Sequence, residues 1–341
     1  MMSPDPILSL ILYSLGETST RPDRIEVFLR RDRLPDASFD LSPSFMQSKA
    51  IPVLSNLKTL LLSLQPGEFS GRSFQPGLAQ KHEESFRNLK GFLQHTPLLE
   101  HLRLNFVEHT QPSWCTDTLL AWLGTLPGPG DDLASAPVTL DHLTTLDLGM
   151  AHVKPRTLLA IVLKFTKLEA VSLWKIAFPK ALEELNDPEF TGTCMWSYYL
   201  PKLGEAFPAP ENIKNFMVGW PAESVTAGLP PERVRFADRT KVDEKGSLTP
   251  ESFDDVVTYR KEVGSNVCAW LGELGERASL PPPIESDSSG ADEDEDEQSQ
   301  FSDSEEIDSE DEEAVARAIE AADRAEAEVL RAYGEEGTVP W

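Results

Sequence analysis

Six histidines, three cysteines and 57 carboxylates are the side chains of this 341-residue chain that could carry metal ligation, nucleophilic attack or proton transfer. His82, His95, His101, His109, His142 and His152 form no HExxH and no other close ligand pair. Cys115, Cys194 and Cys268 lie too far apart for a CxxC site or a disulfide framework. Such a sparse, odd set suits a reducing compartment. There is no GxGxxG after a strand, no GxxxxGK[ST] and no GxSxG elbow. Gly128-Pro-Gly130 lacks a helix start behind it and reads as a loop, and Asp131-Asp132 and Asp254-Asp255 read as solvated turns. No catalytic, cofactor-binding or metal-binding residue is named, and the chain is expected not to be an enzyme.

Charge narrows the partners. The net formal charge of −26 divides unevenly. Residues 1–283 hold 35 acidic and 28 basic residues, a net of −7, and residues 284–341 hold 22 and 3, a net of −19. Phosphate polymers and anionic lipid are repelled by such a chain, so neither nucleic acid nor membrane is expected as a partner. Ile7–Leu15 is apolar but too short to span a bilayer, and Asp5 precedes it where a signal peptide has Lys or Arg. It reads as a short buried helix, and the chain as soluble, cytoplasmic or nuclear.

The elements that must position any site come from a recurring spacing. Leu57-x-x-Leu60-x-Leu62 returns as Leu99-x-x-Leu102-x-Leu104, Leu143-x-x-Leu146-x-Leu148, Leu168-x-x-Val171-x-Leu173 and Ile213-x-x-Phe216-x-Val218. In L-x-L both apolar side chains leave one side of a short strand, because strand side chains alternate. One such unit cannot bury its own apolar face, so the units must stack. Between the cores, residues 85–95, 117–126, 156–165 and 196–207 show helical spacing. Pro155 suits a first helical turn, and Pro201 is expected to kink or shorten the last of these helices. Residues 233–237 and 256–259 read as two last strands. Val267, Trp270, Leu271 and Leu274 then form one face of a capping helix.

The fold expected is α/β: an irregular leucine-rich-repeat solenoid of parallel strands alternating with helices. An ordinary α/β domain with leucine-rich parallel strands shares part of the pattern. The recurring register favours stacked repeats. The residues between the leucines point to the other sheet face. They include His101, Arg103 and Asn105, Thr145 and Asp147, Ser172 and Trp174, and Asn215 and Met217. Stacked strands would gather them into a concave patch for a protein substrate or adaptor, with Arg103 and Trp174 of the types that dominate interface hot spots.

These helix–strand units, their irregular lengths and the late Val234-Arg-Phe236 strand resemble the leucine-rich region of fungal F-box-type proteins. The likeness covers residues 25–283. It implies a receptor that recruits substrates to a cullin-based ubiquitin ligase. Residues 1–24, an N-terminal helical segment, carry no convincing F-box. The Asn/Cys position of the standard repeat is held by Gln65, Val107, Ala151, Ile176 and Pro221, so no asparagine ladder is expected.

Residues 284–313 carry 16 carboxylates and no basic residue. Such a linker cannot bury enough surface to offset chain entropy and is expected to be disordered. Ser289, Ser302 and Ser309 each precede an acidic residue by three positions, a spacing suited to acidophilic phosphorylation. Residues 314–333 read as a solvated helix with Glu–Arg pairs at helical spacing, and 334–341 as a flexible end. Together with the repeats, such a tail is similar to that of acidic leucine-rich nuclear phosphoproteins, which implies binding of basic proteins such as histones.

Overall fold

The computed structural model describes residues 7–27, 34–42, 44–64, 86–106, 114–128, 136–179, 194–224, 231–238, 240–241 and 252–280. The chain divides into two units, Met1–Pro283 and Ile284–Trp341, and every described residue belongs to the first. The acidic linker, the Ala/Glu/Arg helix and Ser289, Ser302 and Ser309 lie outside the described residues. Among the described residues no helix is long and apolar enough to cross a membrane.

The fold is mixed α/β, a mostly parallel sheet with alternating helices. Its strands are β1 (Arg24–Val27), β2 (Thr59–Leu64), β3 (His101–Phe106), β4 (Thr145–Gly149), β5 (Ala170–Trp174), β7 (Asn215–Gly219) and β12 (Val256–Arg260), in that spatial order. Helices α1 (Ile7–Glu17), α2 (Ser44–Leu54), α3 (Arg87–Gln94), α4 (Trp114–Gly124), α5 (Pro155–Lys164), α6 (Met195–Ala206) and α7 (Val267–Arg277) punctuate them. Two small sheets flank the large one. One joins β6 (Ala177–Phe178), β8 (Ala222–Glu223) and β9 (Glu232–Arg233). The other joins β10 (Arg235–Ala237), β11 (Phe253–Asp254) and β13 (Ala278–Ser279).

The leucine spacing sets the strand register. Leu60, Leu102, Leu146, Val171 and Phe216 lie side by side, and so do Leu62, Leu104, Leu148, Leu173 and Val218. None of the ten is more than 4% exposed. They join the helices' apolar faces in one core, together with Leu57, Leu99, Leu143, Leu168 and Ile213 from the approaching turns. Just before each strand a single carbonyl accepts two N–H groups from the next unit. Lys58 O accepts from Glu100 and His101 at 2.8 and 2.9 Å, Glu100 O from Thr144 and Thr145 at 2.8 and 3.0 Å, and Thr144 O from Glu169 and Ala170 at 2.8 and 3.0 Å. The backbone thus repeats where the leucines repeat.

The strand exits repeat too. Met150, Lys175 and Trp220 each adopt the left-handed conformation, with φ of 53°, 51° and 53°. Their N–H groups donate to the carbonyls of Trp174, Gly219 and Asp255, each at 2.7 Å. This sharp turn buries the following residue, Ala151, Ile176 or Pro221, beneath the strand.

Three helices lack a side-chain cap at their own N-termini and take a carboxylate from elsewhere. Asp36 accepts from the Asn88 and Leu89 N–H groups of α3 at 3.1 and 2.9 Å. Asp117 on α4 accepts from Lys154 N–H and Thr157 Oγ1 at 2.9 and 2.8 Å, at the start of α5. Buried Glu223 accepts from Met195 and Trp196 N–H at 2.8 and 3.4 Å, at the start of α6. Each pairing satisfies orphan N–H groups, sets negative charge at the positive helix end, and ties two distant segments.

Four expectations need correction. The strands are not all parallel: β12 runs antiparallel to β7. Residues 233–237 are not one strand, because Val234 drops into the core and splits them between two sheets. Its N–H donates to Pro221 O at 2.8 Å. Helix α6 runs unbroken through Pro201. The Ser197 carbonyl that Pro201 cannot bond lies against Gly275 of α7, where a Cβ would sit 2.8 Å from that oxygen. Helix α1 is buried only on one side: Leu8 and Leu12 reach the core, while Leu10 and Ile11 stay about half exposed.

Two measurements check this account. Glu223→Ala removes the α6 cap and is expected to cost about 1–3 kcal/mol in urea denaturation. Burial raises the Glu223 pKa, so ionising it costs stability as pH rises through the ordinary carboxylate range. Glu223→Gln keeps an acceptor without that buried charge and is expected to be far milder at pH 7. Burial also holds His152 down at about 4, from an ordinary 6.5. Only its neutral form suits the fold. The resulting stability is complete above about pH 6.5 and is lost as pH falls toward 4, amounting to ~3 kcal/mol. In pH-dependent denaturation, His152→Gln should flatten that part of the profile.

Candidate interaction surface

The sheet face opposite the leucines carries three rows across the strands. Thr59, His101, Thr145, Ala170 and Asn215 form the first. Leu61, Arg103, Asp147, Ser172 and Met217 form the second, and Ser63, Asn105, Gly149, Trp174 and Gly219 the third. Every residue expected to share this face is brought onto it. Arg103 is exposed, while His101, Asn105, Thr145, Asp147, Ser172, Trp174, Asn215 and Met217 are half-buried. Leu61 and Ser63 share this face but are buried, each only 4% exposed.

Its electrostatic centre is Asp147. Register sets it directly beside Arg103, which donates from Nε at 3.0 Å and holds Nη2 at 2.9 Å, both against Oδ2. His101 Nε2 lies 2.9 Å from the same oxygen. The Asp147 side chain is only 15% exposed. Burial pushes its carboxyl up, but His101 and Arg103 overcome that, and the group titrates below the ordinary carboxylate range. A carboxylate gripped by two neighbours at this depth is a fixed negative point, with the Arg103 guanidinium and the His101 ring against it.

The third row works by alternating bulk. A Cβ on Gly149 would sit 2.4 Å from Asn105 Oδ1, and one on Gly219 would sit 2.4 Å from a Trp174 ring carbon. Each large side chain therefore leans over a glycine on the next strand. Only glycine leaves that space, and the Trp174 indole lies close against the sheet because of it.

Beyond this row lies a group the repeat pattern did not single out. Trp220 has its ring 6.3 Å from that of Trp174. The Arg233 guanidinium lies 3.9 Å from the Trp220 centroid, and Lys175 Nζ 5.6 Å from it. Asp255 holds Arg233 Nη1 at 3.3 Å and Arg235 Nε at 3.4 Å. The signal available was positional: Lys175 and Trp220 both follow the last strand residue of their units.

Cys194 and Cys268 are free thiols. Burial, with Glu223 3.5 Å away, pushes the Cys194 thiol up to about 12, far from thiolate at neutral pH. Asp254 pairs with Lys241 at 2.8 Å and with Arg277 at 3.6 Å. Among the described residues no three His, Cys, Asp or Glu side chains group as metal ligands. No protein-family model matches the chain, and no curated protein matches its sequence.

The Trp174–Gly219 contact can be tested alone. Gly219→Ala is expected to lift the Trp174 indole off the sheet and leave the core intact. In 5-fluorotryptophan NMR the Trp174 resonance, assigned through Trp174→Phe, should shift while signals of buried Trp196 stay in place.

Proposed function

We propose that the protein is a non-enzymatic protein–protein interaction module, with residues 25–283 forming an irregular leucine-rich-repeat solenoid. The observation that carries this reading is the lateral register on the face opposite the leucines. It gathers polar, charged and aromatic side chains from successive strands around one anchored carboxylate, Asp147. Contiguous surface carrying Arg and Trp is what protein recognition uses. The likeness of the repeat region to fungal F-box-type proteins supports a narrower role, the substrate-recognition part of a ubiquitin ligase receptor in the cytoplasm or nucleus. The charge of −19 on residues 284–341 supports a second reading, attraction of basic proteins such as histones to the tail.

A photo-crosslinking residue placed at Ser172 or Met217 tests the face, with Leu163 on the exposed side of α5 as control. The expected result is the same protein partner captured at both face positions and absent at Leu163, with the ligase adaptor co-purifying. Equal capture at all three positions would count against the face. Capture that depends only on residues 284–341 would favour the second reading.

A further inference from the structure

We propose that the rim formed by Trp174, Lys175, Trp220, Arg233 and Arg235 takes an acidic peptide segment of the partner protein, with an apolar side chain resting on the indoles. This deepens the interaction reading and rests on it. Three observations meet at this rim.

The first is a local excess of positive charge on a chain that is acidic overall. Three cations gather here, and among the described residues one carboxylate, Asp255, answers them. It reaches two arginines at 3.3 and 3.4 Å, longer than the 2.6 Å between Lys214 and Glu169 elsewhere on the surface. Glu223 is committed to the α6 cap. Glu232 neighbours Arg233 on β9, and alternation turns its side chain the other way.

The second is how the cations are held. A guanidinium over an indole face can keep N–H groups available for a carboxylate. Arg233 lies 3.9 Å from the Trp220 centroid and shares Asp255 with Arg235. Lys175 has its ammonium near the same ring and no ion pair among the described residues.

The third is backbone conformation. Lys175 and Trp220 both stand at positive φ, where a side chain other than glycine is disfavoured. Glycine would fit both turns better, yet a cation and an indole occupy them and come together. The turn itself recurs at Met150 and belongs to the strand exits; at these two positions it brings the ammonium within 5.6 Å of the indole.

The partner chemistry follows from scale. A nucleic acid would meet the whole chain's −26 as well as this rim. A short acidic peptide meets mainly the local cations within a Debye length.

The test uses the full chain and a fluorescein-labelled acidic peptide, Gly-Glu-Asp-Leu-Glu-Asp-Phe-Glu-Asp-Gly, followed by fluorescence anisotropy. A control peptide carries Lys at every acidic position. Saturable binding of the acidic peptide is expected, weakening with added salt, with the Lys peptide much weaker. Lys175→Asn removes the ammonium but suits positive φ, and should weaken binding about fivefold. Arg235→Gln should weaken it similarly, and Arg235→Lys should restore most of the loss. Circular dichroism confirms that each variant is folded. Equal binding of both peptides, or unchanged affinity in folded Lys175→Asn and Arg235→Gln, would overturn the proposal. Absence of peptide binding alongside specific crosslinks at Ser172 and Met217 would overturn the acidic chemistry alone and leave the interaction reading standing.

Discussion

Everything in this fold depends on lateral registration of apolar residues between neighbouring strands. Side chains on a strand alternate, so a slip of one residue would send Leu102 and Leu104 to the outer face and bring Arg103 into the core. Burying an unpaired guanidinium there would cost far more than any single leucine contributes. The same alternation that hides ten apolar residues therefore fixes the positions of Arg103, Asp147 and Ser172 on the other side. The candidate face has no separate scaffold; it is the reverse of the core.

Registration governs strands, but it does not hold the helices. That task falls to carboxylates reaching across sequence. Asp36, Asp117 and Glu223 each close a helix start that has no local cap. Lys164 does the opposite at a C-terminus, donating to the carbonyls of Leu123 and Thr125 at 2.8 and 2.6 Å. Burial lowers its pKa to about 8, so it remains mostly charged at neutral pH. Helix ends are thus cross-tied by charges from neighbouring units, while the helix bodies rest on the leucines.

What was legible from sequence follows the same division. Apolar period is local, and it announced the strands, their shared face and the positions of the candidate surface residues. The remote caps were not legible, since Asp36 and Leu89 are 53 residues apart and nothing in either neighbourhood names the other. Strand direction was also hidden, because Val256–Arg260 alternates in the same way whichever way it runs. Positive φ at Lys175 and Trp220 has no mark in residue type, so only their shared place after a strand pointed to the Trp220 group. Pro201 misled because its cost depends on what surrounds the freed carbonyl, and here Gly275 on another helix leaves it room.

The reversed strand at the end of the sheet has a consequence of another kind. A row of parallel strands has a polarity, and each edge offers a template on which an identical unit could be laid down without limit. β12 interrupts that polarity, and charged or polar Thr258 and Arg260 stand exposed along it. A second molecule approaching this edge meets a strand of the wrong direction for continuing the row. At this edge the strand thus works against parallel continuation of the row.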